Sequence, residues 1–219
     1  TADWSDLVVK TAEAFHWKDR FKGWGVPTWV SEDGKRVRGL GVGAAGHSDT
    51  GGKPSNANVT LTGLGAVYLS TCMAEFGAGT RDVMLKVVAE ELDMPLEAIR
   101  VSDSDTGMTP PDFGSTGSRS TYCGGIVAKR ACEDVKKKLY QLAHEKYGVP
   151  EDDLEFKGGC VVRISNPEEK YMLFPHLMGK VDSVTGCGHF DGVHNSTIFH
   201  LQFVEVEVDL EMGTFEIVH

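Results

Sequence analysis

Two glycine-rich turns are the segments of this 219-residue chain whose residue types suit binding of an anionic ligand. The first is Glu75-Phe-Gly-Ala-Gly-Thr80, between an expected strand and an expected helix. Its glycines would let the backbone approach a bulky ligand, and the N–H groups that begin the helix would point toward an anion. An ordinary strand-to-helix turn has the same composition, because short glycine motifs are weak signals. The turn alone leaves both interpretations open.

The second turn, Asp112 to Tyr122, also leads into an expected helix and is rich in hydroxyl side chains. Backbone amides, serine and threonine hydroxyls and the Arg119 guanidinium could all donate hydrogen bonds to phosphate oxygens. The segment lacks Gly-Lys-Ser/Thr and is therefore not a Walker loop. A phosphate-binding turn and a flexible surface loop both fit this composition.

The other polar residues do not form a recognisable catalytic or metal-binding pattern. The candidate histidines are His47, His189, His194 and His200. No HExxH, GxSxG or Cys/His signature accompanies them, which favours surface or hydrogen-bonded core histidines. Glu90-Glu91 and Glu151-Asp-Asp153 fit a solvated helix face and a helix cap better than an acid/base pair. The five cysteines have no zinc-ligand spacing, which favours reduced thiols in a cytoplasmic protein.

Composition and charge exclude several classes of protein. A net charge of −10 would repel a nucleic-acid backbone. No apolar run approaches the roughly 20 residues that cross a bilayer, and the N-terminus has no signal-peptide pattern. With 41% hydrophobic residues the chain can bury the core of one large domain or two small ones. It begins without Met and stops after a strand-like stretch, so we expect processing or excision from a longer polypeptide.

Hydrophobic periodicity predicts the elements that would position the two turns. Alternation over Asn58 to Ala74, around Gly63-Leu-Gly65, predicts two strands, and a helix should open at Thr80. A short strand, Ile99 to Ser102, leads to the second turn, and a long helix is expected over Cys123 to Tyr147. Further expected elements are a helix capped at Ser5 and Asp6 that ends before Gly23, a strand from Arg38 to Gly46, a hairpin over Leu154 to Arg163, a short helix over Phe174 to Val181 and two strands over His200 to Val218. This mixed order predicts an α+β fold, with mixed sheets and packed helices.

Four segments in this order together resemble the molybdenum-binding subunit of the xanthine dehydrogenase and aldehyde oxidase family. They are Glu75–Thr80, Ala89–Pro95, Ile99–Thr106 and Phe113–Thr121. The resemblance extends from about Gly39 to Val135, and more weakly through the closing hairpin. Gly46 to Gly52 is similar to the 4-hydroxybenzoyl-CoA reductase branch. The resemblance implies a single molybdopterin-binding lobe over residues 1–219, or two subdomains at about 1–150 and 151–219.

The resemblance also implies a pyranopterin molybdenum cofactor, as molybdopterin or its cytosine dinucleotide, with its phosphate at the second turn. The implied cofactor-binding residues are Gly77, Ala78, Gly79, Gly114, Ser115, Thr116, Gly117, Ser118, Arg119, Ser120 and Thr121. His47 would lie near the substrate pocket. The family's catalytic glutamate would fall beyond the end of this chain, so no catalytic residue is expected here. Ala78 departs from the family's usual glutamine and lacks its hydrogen-bond donor.

For the whole enzyme, the resemblance implies hydroxylation or reduction at an electron-poor carbon of a small aromatic, heterocyclic, aldehyde or thioester substrate. The chain alone would be inactive. Expected partners are the remaining lobe of the molybdenum subunit and iron–sulfur and FAD-binding domains or subunits, with no nucleic acid and no membrane. Because of Ala78, a non-catalytic scaffold lobe that has lost the cofactor is a second hypothesis. A third is an unrelated anion-binding protein that uses Gly114 to Thr121.

Overall fold

The computed structural model describes residues 3–48, 52–172, 177–179, 182–192 and 197–219, without the side chains of residues 48, 169–172 and 197. The chain divides into two compact units. Unit 1 comprises Thr1–Ser48 and Ser196–His219, and unit 2 comprises Asp49–Asn195. This division differs from the expected boundary near residue 150, because a strand near the start of the chain pairs with one near its end. The number of domains stays a prediction.

The described helices are α1 (Trp4–Ala14), α2 (Trp17–Arg20), α3 (Thr80–Glu91) and α4 (Ser120–Tyr147). The described strands are β1 (Trp29–Val30), β2 (Arg36–Ser48), β3 (Ser55–Thr62), β4 (Val67–Ser70), β5 (Ile99–Val101), β6 (Leu154–Lys157), β7 (Cys160–Arg163), β8 (Asn166–Met172), β9 (Ser183–Phe190), β10 (Thr197–Asp209) and β11 (Phe215–Ile217). Helices and both sheet directions occur together, so the predicted α+β class is confirmed. None of these helices is long and apolar enough to span a bilayer.

Unit 1 is built on a four-stranded antiparallel sheet in the order β1-β2-β10-β11. Strands β2 and β10 pair along their whole length, from Arg36 opposite Asp209 to Ser48 opposite Thr197. Aromatic contacts join α1 and the residue after it to β10, with ring centroids 4.4 Å apart for Trp4 and Phe199 and 5.6 Å apart for Phe15 and Phe203. These contacts anchor the first helix on the sheet.

The first helix begins earlier and ends sooner than predicted. Asp3 caps α1, because its side chain accepts a hydrogen bond from the Ser5 backbone N–H at 2.9 Å, so the expected cap at Ser5 and Asp6 is wrong. The helix stops at Ala14, and His16 adopts a left-handed conformation with φ of 56° before α2 begins. A left-handed residue cannot continue an α-helix, and this break splits the expected single helix in two.

Unit 2 contains the main hydrophobic core, between helices α3 and α4 and a sheet in the order β5-β4-β3-β9. Alternate residues of β3 are buried, among them Ala57, Val59 and Leu61, as expected for a strand with one face on a core. Val127 and Val135 of α4 belong to the same buried cluster. A separate three-stranded sheet, β6-β7-β8, completes the unit.

Most predicted elements of unit 2 are confirmed, including the two strands around Gly63 to Gly65, helix α3 and the hairpin of β6 and β7. Helix α4 begins at Ser120, three residues earlier than the predicted start at Cys123. The prediction missed β1, β8 and β9. The expected helix over Phe174 to Val181 lies largely outside the described residues.

Strand β9 escaped prediction because two of its residues are glycines that serve packing against α4. A Cβ atom added at Gly186 would lie 2.1 Å from the Ala131 carbonyl oxygen. One added at Gly188 would lie 1.9 Å from the Val127 carbonyl oxygen. The helix backbone therefore rests directly on the strand backbone, and a side chain at either position would push them apart.

Candidate functional site

Helices α3 and α4 lie side by side and begin at the same end of unit 2. Near their N-terminal ends, a Cβ atom added at Gly124 would lie 3.1 Å from the Met84 sulfur. Near the C-terminal end of α3, Glu91 forms ion pairs with Lys129 and Lys136 of α4, the latter at 3.0 Å. The N-terminal ends of α3 and α4 therefore lie next to each other, and the two helix axes run parallel. Their positive dipole ends therefore point to the same side.

The two glycine-rich turns that precede these helices are in direct contact. The Ser115 hydroxyl donates a hydrogen bond of 2.7 Å to the carbonyl oxygen of Ala74, the residue just before the first turn. The structure thus brings together the two segments that sequence analysis selected separately.

The first turn is organised around a carboxylate, Glu75, that the sequence analysis did not single out. One carboxylate oxygen accepts hydrogen bonds from the backbone N–H groups of Gly77 at 2.7 Å and Gly79 at 3.0 Å. The other accepts from the backbone N–H of Arg81 at 3.2 Å. The backbone N–H of Arg81, with those of Gly79, Gly77 and Ala78, lowers the pKa of Glu75. The sequence pattern that could have identified this cap is a carboxylate shortly before a Gly-x-Gly segment at the start of a helix.

Gly77 and Gly79 take left-handed conformations, with φ of 95° and 74°, that glycine adopts most easily. Ala78 between them is exposed and has an apolar side chain. Arg81 is held to one side by a hydrogen bond of 2.9 Å to the Ser104 hydroxyl. Added Cβ atoms at Gly77 and Gly79 would meet nothing within 4 Å, so the outer surface of the turn is open.

The second turn is held by Arg119, which is fully buried. Its guanidinium donates hydrogen bonds to the Asp112 carboxylate, the Ser55 hydroxyl and the carbonyl oxygens of Lys53, Pro54 and Gly114. The same Asp112 oxygen accepts from the Gly114 backbone N–H at 2.7 Å. The turn is therefore an anchored structure, which argues against the loose surface loop considered above.

Arg119 does not occupy the position that the sequence analysis gave it. We expected its guanidinium to donate to a phosphate, whereas burial and the ion pair with Asp112 at 3.0 Å turn it into the protein. A buried arginine needs internal acceptors, and residues 53–55 and 112–114 supply them. Arg119 shapes the turn from inside.

Lys53 is an exposed cation beside the second turn that the sequence analysis missed. Its ammonium nitrogen lies 5.5 Å from the centroid of the Phe113 ring, a cation–π distance. No pattern in the sequence marks Lys53, because it reaches the turn only through the fold. It offers the positive charge that we had expected from Arg119.

The first turn of α4 presents polar groups to the same side. Ser120 is half-buried and Thr121 is exposed, and the N-cap residue Arg119 makes no side-chain capping bond within the described residues. The N-cap side chain of α4 therefore occupies none of the backbone N–H groups in the first turn of the helix. Thr116, Gly117 and Ser118 complete the turn, with left-handed φ angles of 54° at Gly117 and 60° at Ser118.

His189 braces the second turn from the neighbouring sheet. Its Nδ1 lies 2.7 Å from Asn56 Oδ1, and the Asn56 side-chain amide donates to the Pro111 carbonyl oxygen at 2.6 Å. The other ring nitrogen lies 3.0 Å from the Asp191 carboxylate. This network explains His189 as a hydrogen-bonded surface residue.

The remaining sequence candidates do not join this cluster. His47 is exposed on β2 of unit 1, opposite Ile198, and its expected place near a substrate pocket stays a prediction. His200 also belongs to unit 1, whereas His194 lies outside the described residues. In the described part of the chain, no group of three His, Cys, Asp or Glu side chains could hold a metal ion.

These residues fit a bulky ligand that carries phosphate. Glycines at 77, 79 and 114 leave open surface, since an added Cβ would meet nothing within 4 Å at any of them. Helix N–H groups, the hydroxyls of Ser120 and Thr121 and the Lys53 ammonium group are all suitable donors to phosphate oxygens. The site contains donors and open backbone but no arranged acid/base pair.

Comparison with known proteins identifies a family and several proteins to which this chain is similar. The family model described as the molybdopterin cofactor-binding domain matches residues 10–219. The 6-hydroxypseudooxynicotine dehydrogenase complex subunit gamma of Paenarthrobacter nicotinovorans is 31% identical over 165 residues, which are 73% of this chain and 20% of that protein. The aldehyde oxidoreductase molybdenum-binding subunit PaoC of Escherichia coli K12 is 29% identical over 203 residues, which are 85% of this chain and 26% of that protein.

Solved structures share the fold. CO dehydrogenase from Oligotropha carboxidovorans matches with a TM-score of 0.68 and 18% identity, over 99% of this chain and 28% of that one. Quinoline 2-oxidoreductase from Pseudomonas putida 86 matches with a TM-score of 0.68 and 18% identity, over 97% of this chain and 29% of that one. The chain spans about a fifth to a quarter of the length of the two curated relatives described above.

Proposed function

Because this chain belongs to the molybdopterin cofactor-binding domain family, we propose that it is one cofactor-binding lobe of a larger molybdenum-dependent oxidoreductase. The resemblance inferred from the glycine-rich segments is confirmed at the level of the family. The activity of the whole protein follows as a proposal, since this chain spans only part of its relatives.

The single observation that carries the proposal is the pairing of two parallel helix N-termini. A hydrogen bond between Ser115 and Ala74 holds their glycine-rich turns together. Such an arrangement concentrates N–H donors and positive dipole ends at one place, as a phosphate-bearing cofactor requires. Open backbone at Gly77 and Gly79 lets a large ring system come close.

Within this lobe, we assign the cofactor's phosphate to the start of α4. The backbone N–H groups of its first turn, the hydroxyls of Ser120 and Thr121 and the Lys53 ammonium group would hold it. The Gly77-Ala78-Gly79 turn would lie against the ring system. When bound, this cofactor supplies redox chemistry at an electron-poor carbon. The residues of this chain bind and orient it, and none of them is assigned a proton-transfer role.

The finer features of the enzyme are proposed from the resemblance. The cofactor is molybdopterin or its cytosine dinucleotide, and the remaining lobe of the molybdenum subunit completes its site. Iron–sulfur clusters and FAD on partner domains or subunits carry electrons away. The substrate is a small aromatic, heterocyclic, aldehyde or thioester compound, with 4-hydroxybenzoyl-CoA reductase as the branch suggested by Gly46 to Gly52. A cytoplasmic location remains a prediction from the cysteines.

Metal and pterin analysis of the intact assembly tests this function. Molybdenum is measured by elemental mass spectrometry, and the pterin by fluorescence after oxidation. Near-stoichiometric amounts of both are expected. Their absence from a correctly assembled complex would contradict the proposal.

The alternative is a scaffold lobe of the same family that has lost the cofactor. The observation that favours it is Ala78, whose exposed methyl group offers no hydrogen bond at the open turn. Under this alternative the intact assembly contains neither molybdenum nor pterin, although the lobe still folds and assembles.

A further inference from the structure

The two helix N-termini at the site are not equivalent. At the α3 end, the Glu75 carboxylate already accepts hydrogen bonds from the backbone N–H groups of Gly77, Gly79 and Arg81. Its oxygens stand where those of a bound anion would stand. At the α4 end, the N-cap residue Arg119 turns its guanidinium into the protein and makes no capping bond.

Charges nearby reinforce the difference. The first turn of α3 contains Asp82 in addition to the Glu75 carboxylate that caps it, and Asp103 lies 3.7 Å from the Arg81 guanidinium. The first turn of α4 contains no acidic residue. Lys53 is exposed beside the turn that leads into it. At the start of α3 a phosphate would meet three carboxylates and one guanidinium, that of Arg81, whereas at α4 it would meet the Lys53 ammonium group and no acidic residue in the first turn.

We propose that Glu75 is the resident anion of the α3 N-terminus, a positioning residue that folds the Gly77-Ala78-Gly79 turn before the cofactor arrives and excludes phosphate from this helix end. The second part rests on the proposed function, because it reserves the α4 end for the cofactor's phosphate. The first part concerns this chain alone.

Three hydrogen bonds to one carboxylate are strong enough for this role. Bonds to a charged acceptor are about twice as strong as neutral ones. They also hold two left-handed glycines, whose conformational freedom would otherwise favour an unfolded turn. The hydrogen bonds favour the ionised form, since they lower the pKa of Glu75 from its usual range. The carboxylate is therefore charged at neutral pH.

Amide hydrogen exchange on the 219-residue chain tests the first part. In Glu75→Ala, the amides of Gly77, Gly79 and Arg81 should exchange faster by about tenfold or more, since each loses a charge-assisted hydrogen bond. Glu90→Ala, an equal charge change at the exposed far end of α3, should leave these three amides unchanged. Unchanged exchange in Glu75→Ala would overturn the proposal.

Titration with pyrophosphate, followed by amide chemical shifts, tests the second part. In the wild-type chain, amides at the start of α4 should shift, and those of Gly77, Gly79 and Arg81 should not. In Glu75→Ala the three α3 amides should begin to shift. Glu75→Gln keeps the shape and an acceptor oxygen but removes the charge. The three α3 amides should also shift with pyrophosphate in this variant, which replaces Glu75→Ala in the test if the alanine variant folds poorly.

Two results distinguish failure of this inference from failure of the proposed function. Shifts of the α3 amides in the wild-type chain would mean that pyrophosphate displaces the Glu75 carboxylate from these amides. That result would overturn the inference. If pyrophosphate shifts the amide signals of neither helix start, while Glu75→Ala still speeds hydrogen exchange of the three α3 amides, the turn-folding role of Glu75 stands. That result would overturn both the exclusion role and the assignment of phosphate to α4.

Discussion

Arg119 is the residue on which the shape of the second turn most depends. It is fully buried together with the Asp112 carboxylate, and its guanidinium reaches acceptors in residues 53–55 as well as 112–114. The planar guanidinium of arginine can serve several acceptors at once, whereas the ammonium group of lysine cannot reproduce that fork. Arg119 therefore links two chain segments that are distant in sequence.

Replacing Arg119 by lysine should lower the free energy of unfolding by about 3 kcal/mol, because part of a buried ionic network is left unpaired. Urea unfolding of the 219-residue chain measures the change. Arg130→Lys is the matched control, since Arg130 makes an exposed bond to the His189 carbonyl oxygen, and it should change stability little. Equal stability of the two variants would show that Arg119 does not hold the turn.

Ala78 is the residue that separates the enzyme from the scaffold alternative. It is exposed between Gly77 and Gly79, so a longer side chain fits without repacking. We expect Ala78→Gln in the intact assembly to retain more molybdenum and pterin than the unmodified assembly after incubation in mild denaturant, because the carboxamide restores a donor at the turn. Ala74→Gln, exposed just before the turn, serves as the control. Absence of molybdenum and pterin from both the unmodified assembly and Ala78→Gln would favour the scaffold lobe, and equal retention in the two would show that position 78 does not contact the cofactor.

At the scale of elements, close packing of β9 on α4 positions the start of that helix. Gly186 and Gly188 face the α4 backbone, and they pair in the sheet with Val59 and Ala57 of β3. The β3 strand begins at Ser55, whose hydroxyl accepts a hydrogen bond from Arg119. Strand, helix and second turn thus form one connected structure.

Gly186→Ala and Gly188→Ala should each destabilise unit 2 by roughly 3 kcal/mol or more, since the added methyl group overlaps helix backbone that cannot move alone. Thermal or urea unfolding measures the loss. Gly43→Ala in β2 is the control, because a Cβ atom there meets nothing within 4 Å. Wild-type stability of both β9 variants would refute the observed packing.

Local patterns made part of this fold predictable. Helices α3 and α4 and the β6–β7 hairpin have periodic apolar residues and turn signals close in sequence. Strand β9 could not be recognised, because its glycines are explained only by α4, which lies far away in sequence. The same limit applies at the site: sequence composition selected both turns, whereas the burial of Arg119 and the roles of Glu75 and Lys53 depend on the folded chain.

At the scale of the whole molecule, the chain belongs to the molybdopterin cofactor-binding domain family, and we propose that it supplies one cofactor-binding part of a longer protein. The residues assigned to the cofactor all lie in unit 2, and unit 1 is assembled from both ends of the chain. Among the described residues of unit 1, Phe15 is the single buried apolar side chain. The central claim is therefore a claim about unit 2: the start of α4 receives the cofactor's phosphate.

Pterin content of the intact assembly carrying Thr121→Glu tests this claim most directly. Thr121 is exposed in the first turn of α4, where an added negative charge stabilises the helix but repels a phosphate. We predict that Thr121→Glu lowers pterin and molybdenum content by about tenfold or more, with no loss of thermal stability. Thr121→Gln, which is neutral and has an amide N–H donor in place of the hydroxyl, should lower the content far less than Thr121→Glu does. Wild-type pterin content in Thr121→Glu would contradict the account.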